Sequence, residues 1–196
     1  VLNQLHTQKP PSDRFFDSIY PARYHQHSAR HFTPVNVAWQ AARYLAQTPE
    51  DKILDIGSGT GKFCIAASLI SQAHFYGVEM RKTLTNLSNR VKRAHGLKNA
   101  HFINADFGTI DFSRFDGIYF FNSFHEFCDA SCVLDEQSKV SLETYKAFHE
   151  LLKQKLNECK PGTRLVTYYT FKNKIPSSFR FVRSSKKGLL KFYVKK

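Results

Sequence analysis

Lys52-Ile53-Leu54-Asp55-Ile56-Gly57-Ser58-Gly59-Thr60-Gly61 is the stretch on which the fold turns. Its first half is a short apolar run, the pattern of a strand buried on both faces. Its second half sets three glycines at alternate positions, where missing side chains let a ligand approach the backbone. Phe63 to Ile70 then reads as a buried helix, whose N-terminus offers N–H groups without partners inside the helix. Strand, glycine loop and helix together describe a nucleotide-type site at the carboxyl end of a strand.

The unit recurs downstream. His74 to Val78 is a second strand ending at Glu79, followed by a helix through Leu84, Leu87, Val91 and Ala94 that Gly96 ends. His101-Phe102-Ile103 is a third strand, and Phe115 to Phe121 a fourth, so uniformly apolar that it is expected at the centre of the sheet. Leu142, Tyr145, Phe148, Leu152 and Leu156 form the stripe of a long helix ending before Pro161-Gly162, and Arg164 to Tyr169 is a fifth strand. Phe179 to Arg183 and Leu189 to Val194 flank Ser184-Ser185-Lys186-Lys187-Gly188 as a hairpin. Strands alternating with helices and closing on a hairpin predict an α/β fold, a doubly wound, mainly parallel seven-stranded sheet with an antiparallel C-terminal hairpin strand. Upstream, Thr33-Pro34 precedes a helix carrying Val35, Ala38, Trp39, Ala42 and Leu45, with Trp39 assigned to the core. Residues 1–32 are read as an N-terminal arm or cover, with Phe15-Phe16 and Ile19-Tyr20 as its packing elements, and residues 33–196 as one domain.

A chain of 196 residues with 42% hydrophobic content can build one such core, which excludes disordered and fibrous classes. No apolar run is long enough to span a membrane and the first residues lack a secretory signal, so a cytoplasmic location with no membrane partner is expected. Cys64, Cys128, Cys132 and Cys159 show no paired spacing and are read as free thiols. His125-x2-Cys128-x3-Cys132 lacks a fourth ligand, so no metal site is assigned. The net charge is +13, and residues 172–196 hold nine Lys or Arg and no carboxylate. That segment is read either as a surface for RNA, DNA or an acidic protein, or as a solvated basic face.

The glycine loop fits neither common phosphate motif. Counting from Gly57, the third position of a dinucleotide fingerprint falls on Lys62, where a small residue is needed, and Phe63 stands where a phosphate loop requires Ser or Thr. Glu79, about twenty residues after the glycines, is placed to accept from ribose hydroxyls. Asp106, in Asn104-Ala105-Asp106-Phe107 at the end of the third strand, is placed to accept from an adenine amino group, with Phe107 beside the ring. Three consecutive strand ends thus address three parts of one nucleoside ligand.

On these residues the sequence resembles the class I S-adenosylmethionine-dependent methyltransferases over residues 33–196. The resemblance rests on Ile53 to Gly61, Tyr76-Gly77-Val78-Glu79, Asn104 to Phe107 and the terminal hairpin. It implies S-adenosyl-L-methionine as cofactor, with Gly57, Ser58, Gly59 and Gly61 under its methionine part, Glu79 and Met80 at the ribose, Asp106 and Phe107 at the adenine, and Asp55 as a further cofactor-binding residue. Phe32-Thr33-Pro34 resembles the threonine-proline turn of amino-group methyltransferases, which implies a contact from Thr33 to the cofactor's carboxylate. Asn122-Ser123-Phe124 resembles the motif of enzymes that methylate nitrogen, with Ser123-Phe124 standing where that motif has two prolines. The Tyr-Gly-Val-Glu and Asn-Ser-Phe segments are also similar to non-SET histone lysine methyltransferases, without visible counterparts of their substrate-binding extensions.

These likenesses imply catalytic roles for Asn122, Phe124 and His125. Asn122 is a further cofactor neighbour and orients the acceptor amine, Phe124 walls the acceptor, and His125 takes its proton. For His125 a merely solvated position stays open. The expected function is methyl transfer to nitrogen of a protein or nucleic acid. The alternatives are a nicotinamide-dependent oxidoreductase and a nucleic-acid-binding module with a non-catalytic form of this fold.

Overall fold

A computed structural model of the chain describes residues 9–27, 32–121, 142–170 and 174–196. Seven strands form one sheet: β1 (Lys52–Ile56), β2 (His74–Glu79), β3 (Ala100–Asn104), β4 (Gly117–Phe121), β5 (Arg164–Tyr168), β6 (Phe179–Ser185) and β7 (Leu190–Lys195). Their order is β3-β2-β1-β4-β5-β7-β6. β1 to β5 pair in parallel, and β7 is inserted antiparallel between β5 and β6. The expected doubly wound sheet with its reversed C-terminal strand is therefore present.

β4 lies between β1 and β5 because it can be covered on both faces. Ile118 and Phe120 point into one apolar layer and Tyr119 into the other, all three buried. The Tyr119 layer is covered by α1 (Asp13–Asp17), α2 (Val35–Leu45), α3 (Lys62–Ser68) and α4 (Lys82–Ala94), which contribute Phe16, Trp39, Phe63 and Leu87. The opposite layer is closed by α5 (Leu142–Asn157) through Leu152 and Leu156. Leu142, assigned to the same stripe, stands in solvent at the first position of α5.

Other boundaries also move. α3 begins at Lys62, one residue early, and β3 ends at Asn104, so Asp106 is not a strand terminus. β5 ends at Tyr168, because Tyr169 takes a left-handed φ of 55° that breaks the strand. The hairpin turn is shorter than its sequence pattern: β6 runs on to Ser185, after a bulge between Phe181 and Arg183.

The first helix is held by charge. Lys62, 2% exposed in the first turn of α3, places its ammonium 2.7 Å from Oδ1 of Asp13 and 2.7 Å from Oδ1 of Asp17. Asp13 Oδ1 also accepts from the Val35 N–H at 2.9 Å, at the start of α2. The rings of Phe16 and Phe32 lie 5.8 and 5.9 Å from the same ammonium. Three segments far apart in the chain thus meet on one cation. Removing it strands the buried carboxylate of Asp17 beside an apolar core, while Asp13, its side chain 44% exposed, can meet water; loss of one partner of a buried pair costs about 3–5 kcal/mol. Lys62→Ala is accordingly expected to lower the free energy of urea unfolding by about 3 kcal/mol; a loss below about 1 kcal/mol would mean a solvated, replaceable pair.

Candidate functional site

The parallel strands bring the glycine loop, the end of β2 and the segment after β3 to one edge of the sheet. Backbone bonds define the loop: Ser58 N–H donates to the Val78 carbonyl at 3.0 Å, and Gly61 N–H to the Ser58 carbonyl at 2.8 Å. Two glycines answer to steric need. A Cβ on Gly61, whose φ is 77°, would stand 2.5 Å from the Phe102 ring and 2.9 Å from Ser88 Oγ. A Cβ on Gly77 in β2 would meet Ser58 at 2.7 Å, so this residue makes room for the loop to lie against the neighbouring strand. Gly59 differs, since a Cβ there would meet nothing within 4 Å. Its outer side is open, which is where a ligand can reach the backbone.

Glu79, 3% exposed, ties the loop to β2. Its Oε2 accepts from the Gly59 N–H at 3.0 Å, and its Oε1 from the backbone N–H and Nε–H of Arg81 at 2.9 and 3.0 Å. Oε1 thus holds two donors and Oε2 one, so Oε2 keeps an acceptor site to which a ligand hydroxyl can still donate. Asn104 fastens the adjoining edge, its Nδ2 donating at 2.9 Å to the carbonyls of both Glu79 and Met80. Met80 projects into solvent beside it, 54% exposed. Asp106 is exposed and caps a short 3-10 turn over Phe107–Thr109, accepting from Gly108 N–H at 2.7 Å. The Phe107 ring is turned inward and packs edge-on against Phe148 of α5, 5.9 Å away.

Asp55 lies beneath the loop, 3% exposed, and accepts a 3.7 Å contact from the Cys64 thiol. Burial pushes its carboxyl up to about 8, with the charge of Glu79 adding to the shift and the thiol contact opposing it. Burial likewise pushes the Cys64 thiol far up, which removes it as a nucleophile. Thr33 is buried too, its hydroxyl sharing a 3.1 Å hydrogen bond with that of Tyr119, whose ring stacks on Phe63 at 4.0 Å.

The structure therefore brings Gly57, Ser58, Gly59, Gly61, Glu79, Met80 and Asp106 to one edge, with Asp55, Thr33 and Phe107 buried behind it. Asn122, Phe124 and His125, together with Cys128 and Cys132, lie outside the described residues. Cys64 and Cys159 are free and buried, and no cluster of His, Cys, Asp or Glu suited to a metal ion occurs among the described residues. No helix among them is long and apolar enough to cross a membrane. Sequence reasoning missed Arg81, Asn104 and Ser88 as supports of the edge. Their positions after β2, at the end of β3 and on α4 are the only signal, and it acquires meaning once β2 pairs with β3.

Comparison with known proteins bears on this edge. Residues 47–167 match the family model described as a methyltransferase domain. No curated protein matches the chain. Among solved structures, TrmN from Thermus thermophilus superposes with a TM-score of 0.66 at 18% identity, over 97% of this chain and 55% of that one. An RNA methyltransferase from Salinibacter ruber, solved with S-adenosyl-L-homocysteine, gives 0.53 at 19% identity, over 81% of this chain and 86% of that one. The [4+2]-cyclase SpnF gives 0.53 at 16% identity, over 68% of this chain and 43% of that one. The chain thus spans about half the length of TrmN and SpnF. At such identities the likeness establishes the fold, and a cyclase among the neighbours shows that the fold alone does not set the reaction.

The Asp55 carboxyl makes a pH prediction for this region. Its folded-state value lies above that of an unfolded aspartate, so folding takes up a proton between roughly pH 4 and 8. The stability it contributes is complete below the unfolded value and is lost as pH rises through about 8. Asp55→Asn should therefore flatten the decline in urea midpoint from pH 5 to pH 8; an unchanged slope would show the carboxylate to be ionised in the fold.

Proposed function

The chain belongs to the methyltransferase-domain family, and we propose that it carries a methyl group from S-adenosylmethionine to a nitrogen of a macromolecular acceptor. One observation carries the reading: the Gly59 backbone is held to the end of β2 by Glu79, while its outer side is open. That combination leaves a ledge lined by backbone groups next to an acid, which suits a nucleoside with a charged tail. The residues present fit such a cofactor: Gly57 to Gly61 would lie under its amino-acid part, the remaining acceptor site on Glu79 Oε2 would receive a ribose hydroxyl, and Asp106 would receive the adenine amino group. When bound, the cofactor supplies a methyl group already activated by a sulfonium.

The protein's share of the chemistry is then alignment and exclusion of water. Asn122, next in the chain after the last residue of β4, accepts from the acceptor amine and so directs its lone pair. Phe124 walls that amine, and His125 takes the proton it sheds. Nitrogen is favoured as the target by the likeness of Asn122-Ser123-Phe124 to nitrogen-methylating enzymes. The nicotinamide alternative needs a small residue at position 62, and Lys62 is committed to two carboxylates.

Ligand-induced stabilisation tests the reading, since a ligand bound by the native state alone raises the unfolding midpoint. S-adenosylhomocysteine should raise it and NADH and ATP should not; a larger rise with NADH overturns the proposal. Glu79→Gln keeps an acceptor for the Gly59 N–H but loses the charge, and is expected to weaken S-adenosylhomocysteine about tenfold, near 1.4 kcal/mol. Unchanged affinity would leave Glu79 only its loop-holding task. Radiolabelled methyl transfer onto RNase-treated and protease-treated lysate identifies the acceptor, and cofactor binding without any transfer would indicate a non-catalytic module.

A further inference from the structure

Among the described residues, three that are not glycine have a left-handed backbone: Tyr169 (φ 55°), Lys186 (φ 53°) and Lys187 (φ 55°). A bulky side chain in that region costs about 1–3 kcal/mol. All three sit in one corner of the molecule. Leu190 is the register partner of Tyr168, and the Tyr169 N–H donates to the Leu189 carbonyl at 3.1 Å, which joins the end of β5 to the β6–β7 turn. Because β7 runs antiparallel to β5, this turn lies on the same edge of the sheet as the glycine loop, two strand spacings or about 10 Å from the end of β4.

The strain at Tyr169 has a visible result. Successive side chains of a strand point to opposite faces, yet the Tyr169 ring lies 4.7 Å from that of Tyr168 and 6.2 Å from that of Phe121. Tyr169 is still 50% exposed, so it presents an aromatic face to solvent beside the last residue of β4. Lys186 and Lys187, the other two strained residues, stand in the turn whose Leu189 carbonyl holds the Tyr169 backbone, and neither forms an ion pair among the described residues. Three other cations of the segment are occupied. Lys195 donates to the Leu156 and Asn157 carbonyls at the end of α5, Lys191 donates to the Thr170 carbonyl, and Arg183 stacks 3.9 Å over Phe192.

We propose that Tyr169, Lys186 and Lys187 form a docking corner for single-stranded nucleic acid, the lysines holding phosphates and Tyr169 stacking on a base. An exposed ring beside unpaired cations is the combination that tracks a strand of nucleotides, whereas an acidic peptide would use the lysines and leave the ring idle. The inference rests on the methyl-transfer reading in one respect: the corner adjoins the end of β4, where the acceptor is expected.

The test is binding of a short fluorescein-labelled oligoribonucleotide to the full chain across a salt series, without cofactor, beside the S-adenosylhomocysteine shift of each variant. Lys186→Asn with Lys187→Gly supplies residues that adopt the left-handed conformation readily, so its unfolding midpoint should stay level or rise. Its affinity for the oligonucleotide should nevertheless fall at least tenfold and its salt dependence become shallower. Tyr169→Ala should weaken binding about tenfold, and Tyr169→Phe should restore it. Undiminished binding in the double variant overturns the proposal. So does a Tyr169→Ala variant that binds like the parent while polyglutamate competes as well as RNA, which would mark an acidic protein as the partner. An intact S-adenosylhomocysteine shift in these variants confines a binding loss to this corner, whereas absence of that shift in the parent protein counts against the methyl-transfer reading alone.

Discussion

The buried ammonium of Lys62 is the constraint on which the arrangement of the site depends. A lysine with almost no exposure is tolerated because two carboxylates stand 2.7 Å away, and those carboxylates belong to the five-residue helix α1. Phe16 and Tyr20 lie in the core beside this charge pair, so apolar burial and ion pairing act on the same short segment. The net stability of such a pair is small, because desolvation offsets most of the attraction. Its larger effect is on register. Lys62 follows directly after Gly61, so the same contact that anchors α1 also sets the first turn of α3 and the end of the glycine loop.

The chemistry then gathers on one edge for a topological reason. Parallel strands joined by helices all end on the same side, and their loops crowd the crevice beside β1 and β4. Small supports make that crevice definite: Gly77 gives Ser58 its space, Glu79 holds Gly59, and Asn104 holds the backbone of Glu79 and Met80. Backbone strain falls on the same side. Tyr169, Lys186 and Lys187 adopt costly conformations at this edge, and strained residues are found where a structure must present a side chain in a way regular elements do not allow.

Much of this was legible in the residues. Short apolar runs, glycine punctuation and the uniformly apolar β4 identify the strands and the central one, since they follow from local geometry and from burial on both faces. The glycine loop and Glu79 are visible because spacing within one strand-loop-helix unit is conserved by the geometry of the unit. The basic tail was legible only as charge. In the folded chain Lys195 caps α5, Lys191 bonds Thr170 and Arg183 covers Phe192, while Lys186 and Lys187 stay unpaired among the described residues.

By itself, then, the sequence determined the elements, their alternation and the glycine loop at the end of β1, because each depends on residues within a few positions of one another. The tertiary structure decided what depends on partners distant in the chain. It chose which carboxylates neutralise Lys62, gave Glu79 the second task of holding the loop, and left Asp55 too deeply buried to ionise readily. It also set the sign of φ at Tyr169, where the hairpin carbonyl of Leu189 captures the backbone N–H and the ring is carried round beside Phe121. A local pattern carries no record of such a choice, because its energy comes from groups that meet only after the sheet has formed.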